Sequence, residues 1–127
     1  MGKARDLVEP LIDGTIDGLA GVLAEDAEWW VAGDPARLPW AGSFVGPDGF
    51  RRFLAALRQA LEYRKFETVD VVDAGNSFIQ IVQGAGVARS TGRSFSSLIA
   101  RAFTEGDGKI VLVRTFYDTA AYERALL

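Results

Sequence analysis

The sequence contains no cysteine and no histidine. The first absence rules out disulfides, thiolate nucleophiles and zinc held on sulfur. The second removes imidazole, the usual acid–base group near neutral pH and the commonest metal ligand. Any chemistry must therefore come from carboxylates, Tyr, Ser, Thr, Lys or Arg, and neither a metal nor a cofactor is expected. No run comes near the roughly 20 apolar residues that span a bilayer. A positive surplus is missing too: 14 Lys and Arg stand against 17 Asp and Glu, a formal charge of −3. Proteins that track a phosphate backbone are usually basic, so neither nucleic acid nor membrane is an expected partner. The opening Met1-Gly2-Lys3-Ala4-Arg5-Asp6 has neither the apolar core of a signal peptide nor a myristoylation pattern, and a cytoplasmic location is the expectation.

What the chain does have is apolar material: 49% of its 127 residues are hydrophobic. A chain of this length buries roughly two-thirds of its unfolded surface, enough for one core without staples. A single domain over residues 1–127 is expected.

Ala4, Leu7, Val8, Leu11 and Ile12 fall at helical spacing, with Pro10 inside the pattern forcing a kink or a late start. Asp13-Gly14 closes this helix, and Thr15 can cap a second short one running through Leu19, Val22 and Leu23. Glu28–Ala32 reads as a strand, and 33–45 as a loop containing Trp40. Gly46-Pro47-Asp48-Gly49 opens the strongest helix, whose Phe50, Phe53, Leu54, Leu57 and Leu61 form one stripe. Arg51, Arg52 and Arg58 lie off that stripe, as a solvated face rather than a nucleic-acid surface.

Beyond Arg64 the pattern changes to period two, with strands expected near Phe66–Asp73, Ser77–Ala88, Arg93–Phe103 and Lys109–Tyr117. Turn chemistry at Ala74-Gly75-Asn76 and Glu105-Gly106-Asp107-Gly108 makes hairpins of them. Gly84 and Gly86 mark a bulge or sharp bend. A last helix over Ala120–Leu126 follows a cap at Asp118 or Thr119. The order predicts an α+β fold with helices on one face of a meandering sheet.

Three strings carry a resemblance within this order. They are the Gly18-Leu19-Ala20-Gly21-Val22-Leu23-Ala24-Glu25-Asp26-Ala27-Glu28-Trp29 segment, the Leu38-Pro39-Trp40-Ala41-Gly42-Ser43-Phe44-Val45-Gly46 segment, and Gly108-Lys109-Ile110-Val111 leading to Phe116-Tyr117-Asp118-Thr119. With their spacing, they resemble the SnoaL-like, ketosteroid-isomerase-like family of the nuclear-transport-factor-2-like superfamily. The likeness covers nearly the whole chain. It implies a strongly curved, mostly antiparallel sheet wrapped by three helices of the N-terminal half into a cone with an internal apolar pocket, plus a short C-terminal helix. Fold does not fix the reaction, so the pocket must be argued separately.

The catalytic patterns that the resemblance brings are absent when the chain is aligned without gaps. The isomerase base falls on Val31, its oxyanion acid on Ala100 and its tyrosine on Leu7. The cyclase Asp, two residues beyond Val113, is replaced by Thr115, a poor general base. The arginine–aspartate pair of the epoxide-hydrolase type has no counterpart in Ile81-Val82-Gln83-Gly84.

Strand alternation then lists an inward set: Val111, Val113, Thr115 and Tyr117 on one strand, Ser96, Leu98, Ala100 and Ala102 on another, with Gln80, Val82 and Gly84 on the long strand and Trp29 and Val31 on the first. Tyr117, Thr115 and Gln80 are the candidates for catalysis by hydrogen bonding. Trp29, Val31, Trp40, Phe53, Leu57, Val82, Ser96, Leu98, Ala100 and Val113 are the candidates for binding a small apolar cyclic ligand. Each has a plainer reading: Tyr117 as packing, Thr115 as a β-former, Asp118 as a helix cap, and Asp34 and Arg37 as a charged surface loop. The opposite phase (Ile79, Ile81, Ile99, Phe103, Leu112 and Phe116, with Arg101 and Arg114) would make a broad apolar convex face suited to a homodimer. Two functions stay open. One is a cyclase, isomerase or dehydratase acting on a hydrophobic cyclic or polyketide-like metabolite without a carboxylate base. The other is a non-catalytic hydrophobic-ligand-binding or dimerisation domain of the same fold.

Overall fold

The computed structural model describes residues 2–12 and 16–127. The expected helix end at Asp13-Gly14 and the cap at Thr15 lie outside them. Helix α1 spans Lys3–Ile12 with Pro10 inside it, near its C-terminal end. A 3-10 helix, Ile16–Val22, leads directly into strand β1, Leu23–Val31. Leu23, expected to end the second helix, instead begins this strand, which is longer than its sequence pattern suggested.

The loop after β1 contains a strand that alternation could not show. Strand β2, Gly42–Val45, is only four residues long and pairs antiparallel with β1, Trp29 opposite Phe44. It passes straight into helix α2, Gly46–Ala60, where Pro47 starts the helix without needing an N–H partner. Gly46 sits at φ 70°, and a Cβ there would lie 2.3 Å from the Glu25 carbonyl oxygen. The helix buries Phe50, Phe53 and Leu54, while Arg51, Arg52 and Arg58 are exposed. Leu61 is not the last residue of the stripe but the first of strand β3, Leu61–Asp73.

Strands β4 (Ser77–Ala88), β5 (Ser94–Gly106) and β6 (Lys109–Tyr117) follow as a meander, and helix α3, Thr119–Leu126, closes the chain. Among the described residues the sheet order is β2-β1-β6-β5-β4-β3, antiparallel throughout except for the parallel pair β1 and β6. The observed architecture is therefore α+β, a mixed, mostly antiparallel curled sheet with α1, the 3-10 helix and α2 packed on its inner face.

Gly84 and Gly86 do not form the expected bulge. Strand β4 pairs with β5 in unbroken register, and the irregularities lie opposite, in β3, between Tyr63 and Lys65 and between Thr68 and Asp70. A Cβ on Gly86 would stand 2.0 Å from the Glu62 carbonyl oxygen. Glycine there lets the bulged β3 backbone approach and the sheet curl.

A further bulge, in the β5–β6 pair, sets the phase of the inner face. The β5–β6 hairpin turns through Asp107 and Gly108, both at positive φ (53° and 82°), the backbone of a two-residue hairpin turn. Near the turn Glu105 pairs with Ile110, but beyond it Thr104 pairs with Leu112. Val111 is the extra residue. Expected to face inward, it is exposed, whereas Ile110 and Val113 are buried. Because of this bulge Thr115 lies opposite Arg101, not Ala100. Phe95, Ser97, Ile99, Arg101 and Phe103 therefore face the core, and Ser96, Leu98, Ala100 and Ala102 do not. Ile99, Phe103 and Arg101, expected on the convex face, are corrected in the same way.

Candidate functional site

The inner face of the sheet, α1, the 3-10 helix and α2 enclose a cavity of about 370 Å³, within the range of small-molecule sites. Part of its wall rests on an aromatic cluster. Trp29 on β1 packs on Phe50 and Phe53 of α2 with ring centroids 4.5 and 5.4 Å away, and meets Phe103 edge-on at 6.3 Å. Leu19, Leu54 and Leu57 continue the apolar wall, and the exposed side chains of Arg58, Phe66 and Arg89 mark the mouth.

Two groups of polar atoms reach this cavity. The first centres on Tyr117, whose hydroxyl donates to the Ala32 carbonyl at 2.6 Å and accepts from Trp40 Nε1 at 3.0 Å. The ring of Tyr122, from α3, lies edge-on to Tyr117 at 4.9 Å and to Trp40 at 5.9 Å. The Tyr122 hydroxyl shares a 2.7 Å hydrogen bond with that of Tyr63. Burial pushes Tyr117 and Tyr122 up to about 12 and raises Tyr63 as well, so all three are neutral at ordinary pH.

The second group forms a row across the sheet. Gln80, Arg101, Thr115 and Val31 are successive cross-strand partners on β4, β5, β6 and β1, and all four are buried. Gln80 Nε2 donates to Thr68 Oγ1 at 2.8 Å, and Gln80 Oε1 accepts from Arg101 Nη2 and Nε at 2.8 and 3.2 Å. Desolvation lowers the Arg101 guanidinium to about 10, which leaves it cationic at neutral pH. Thr115 Oγ1 and, one position along β1 on the same face, Trp29 Nε1 are buried with no hydrogen-bond partner.

The sequence-derived candidates are thus divided. Trp29, Val31, Trp40, Phe53, Leu57, Thr115 and Tyr117 line the cavity. Gln80, Val82 and Val113 point inward but are packed away from it: Gln80 lies beneath Arg101, and the two valines belong to the solid core. Ser96, Leu98 and Ala100 lie on the outer face because of the Val111 bulge, with Leu98 58% exposed. Asp118 caps α3, its Oδ1 accepting from Ala121 N at 3.2 Å. Asp34 Oδ1 accepts from Ala36 N, and Arg37 pairs with Glu123 at the surface.

Sequence reasoning missed Arg101 and Tyr63. One signal was present for the first: Arg101 shares its phase with Phe95, Ile99 and Phe103, the bulkiest side chains of its strand, whereas the other phase offers Ser96, Ala100 and Ala102. A carboxylate reaches the lining at Glu62, half-buried and 3.8 Å from Arg64. Among the described residues no three acidic side chains converge as a metal site, and no helix is long and apolar enough to cross a membrane.

Fold and cavity together define a cone-shaped α+β protein of the small-molecule-binding kind. The chain belongs to the SnoaL-like domain family, whose model matches residues 4–113. Solved structures agree. A nuclear-transport-factor-2-like protein of Burkholderia thailandensis is 26% identical with a TM-score of 0.86, over 100% of this chain and 99% of that one. A second, from Burkholderia xenovorans, is 26% identical with a TM-score of 0.84, over 98% and 96%. TerC, co-crystallised with polyporic acid, shares the fold at 18% identity, with a TM-score of 0.82 and 98% of each chain covered. No curated protein matches the chain in sequence.

Proposed function

We propose that this protein binds a compact, ring-bearing hydrophobic metabolite in the cone and orients it through one oxygen. The observation that carries the reading is the pair of buried, unpartnered polar atoms, Thr115 Oγ1 and Trp29 Nε1, on adjacent strands whose residues line the cavity. A buried donor without an acceptor costs about 1–3 kcal/mol, and a ligand oxygen would remove that cost. Trp29, Phe53, Leu57 and Trp40 supply the surface for the ring. The co-crystal of TerC with polyporic acid supports small-molecule binding within this fold.

The test is a thermal-shift screen against steroids, terpenes and aromatic polyketides. A ligand at 100 times its dissociation constant adds about 2.7 kcal/mol. Hits should weaken in Thr115→Val and Trp29→Phe. A diverse panel with no hit would refute the proposal.

The same donor pair favours a second reading, a cofactor-independent isomerase, cyclase or lyase. Preorganised donors stabilise an oxyanion as charge develops; with the usual carboxylate base missing, the substrate's proton would leave to water or to Glu62 on the lining. Turnover of a thermal-shift hit, lost in Thr115→Val while affinity falls less, separates catalysis from binding alone.

The outer face of the sheet is proposed to pair two copies. Leu98 and Phe116, 58% and 48% exposed, lie there with Ile79, Ile81 and Leu112, and Trp30 packs on Phe116 at 5.4 Å. Light scattering should give twice the 13.8 kDa chain mass; a monomer would overturn the pairing.

A further inference from the structure

Arg101 is, among the described residues, the one cation in the cavity wall that is deeply buried, at 4% exposure. A buried arginine normally meets a carboxylate, since a buried charge without a counter-charge is costly. Among the described residues, every ion pair joins other groups. Arg101 instead directs two of its N–H groups at a single neutral oxygen, Gln80 Oε1. A guanidinium carries five such donors.

The surroundings hold this cation in place. Gln80 is fixed by its bond to Thr68, and the Arg101 guanidinium carbon lies 5.2 Å from the Phe66 ring centroid and 5.9 Å from that of Phe103. Both distances are within cation–π range. Aromatic faces and an amide orient a charge but do not neutralise it.

The neighbours on the wall have the same requirement. Thr115, the cross-strand partner of Arg101, has its hydroxyl unpartnered, and so does the Trp29 indole N–H. Indole and guanidinium can only donate. Three donors on β1, β5 and β6 therefore belong to residues that line one cavity, and one of them carries a full positive charge. What completes such a site is an acceptor with a negative charge.

We propose that the ligand is an organic anion: a carboxylate, or an enol or phenol acidic enough to ionise at neutral pH, carried on a compact apolar ring, with its oxyanion on Arg101 and beside Thr115 and Trp29. This rests on the reading of the cavity as a small-molecule site and adds the charge of the occupant. The apolar lining of Trp29, Phe53 and Leu57 selects a ring body over a sugar or a nucleotide.

The test compares matched rings that differ only in charge: 2-naphthoate against 2-naphthamide, and biphenyl-4-carboxylate against its amide, by titration calorimetry at pH 7. The wild type should bind at least one acid about tenfold or more tightly than its amide. Arg101→Met should abolish that preference while changing amide affinity little. Equal affinity of acids and amides overturns the anion proposal and leaves the small-molecule site standing. Failure of all four probes overturns both. Should Arg101→Met not fold by circular dichroism, the Arg101 Nε–H resonance of the labelled wild type decides. It should shift with the acid and stay in place with the amide; no shift with either, or the same shift with both, refutes the assignment.

Discussion

Two polar groups share one cavity but are finished differently. Around Tyr117 every polar atom has found a protein partner: the hydroxyl lies between Ala32 O and Trp40 Nε1, and Tyr63 and Tyr122 satisfy each other. Around Arg101 a cation has only an amide oxygen, and the neighbouring Thr115 and Trp29 have nothing. A satisfied network fixes elements to one another. Here it ties the β1–β2 loop and α3 to the end of β6, beside the cavity. An unsatisfied set costs stability in the empty protein and is compensated only when something binds. Tyr117, with its proton committed to Ala32 O, therefore belongs to the frame, and the Arg101 row belongs to the proposed site.

This difference makes opposite predictions for substitutions of similar size. Replacing the unfinished charge should help the empty protein most. The double variant Arg101→Met/Gln80→Leu, which leaves neither partner alone, should be as stable as the wild type or more so, by up to about 4 kcal/mol, in urea unfolding. A large loss would show that the arginine serves the frame. Tyr117→Phe should act the other way. It strands a buried indole N–H and a carbonyl, and should cost about 1–3 kcal/mol, each kcal/mol lowering Tm by roughly 2–8 °C. Thr115→Val should raise the stability of the empty protein by up to about 1–3 kcal/mol, because the hydroxyl it removes is buried and unpartnered.

The smallest effect is read by titration. The sequence has three tyrosines, and burial raises all three. The folded state holds their protons more tightly than the unfolded chain, so this contribution to stability is complete below about pH 10. It is lost as pH rises toward 12. Absorbance at 295 nm should show no tyrosinate in the native protein at pH 10, whereas the chain in guanidinium titrates there. A native transition near 10 would show that the network is open to water.

Much of the architecture was legible in local pattern. Strands β4 and β6 match their expected bounds, and the stripe of α2 is buried as its spacing requires. Strand β2 was not legible: four residues beside a loop carry no period, and they become a strand only because β1 supplies the edge. The candidate site was legible on β1, α2 and the far half of β6, where alternation runs unbroken. It failed on β5, because the phase there depends on β6. Without the Val111 bulge the hairpin would set Ala100 opposite Thr115; with it, Arg101 stands there.

The sequence by itself determined the periodicities, the turns at Gly75 and Asp107-Gly108, the absence of imidazole and thiol chemistry, and with them an α+β order of elements. These follow from local propensity and burial, which each segment carries in its own residues. Tertiary structure decided which face of β5 turns inward, and so whether the cavity wall carries an alanine or a cation. A single inserted residue shifts the phase of one strand against its neighbour. The packing of β6 against β5 and β1 fixed that shift, which the bulk of Phe95, Ile99 and Phe103 only hinted at.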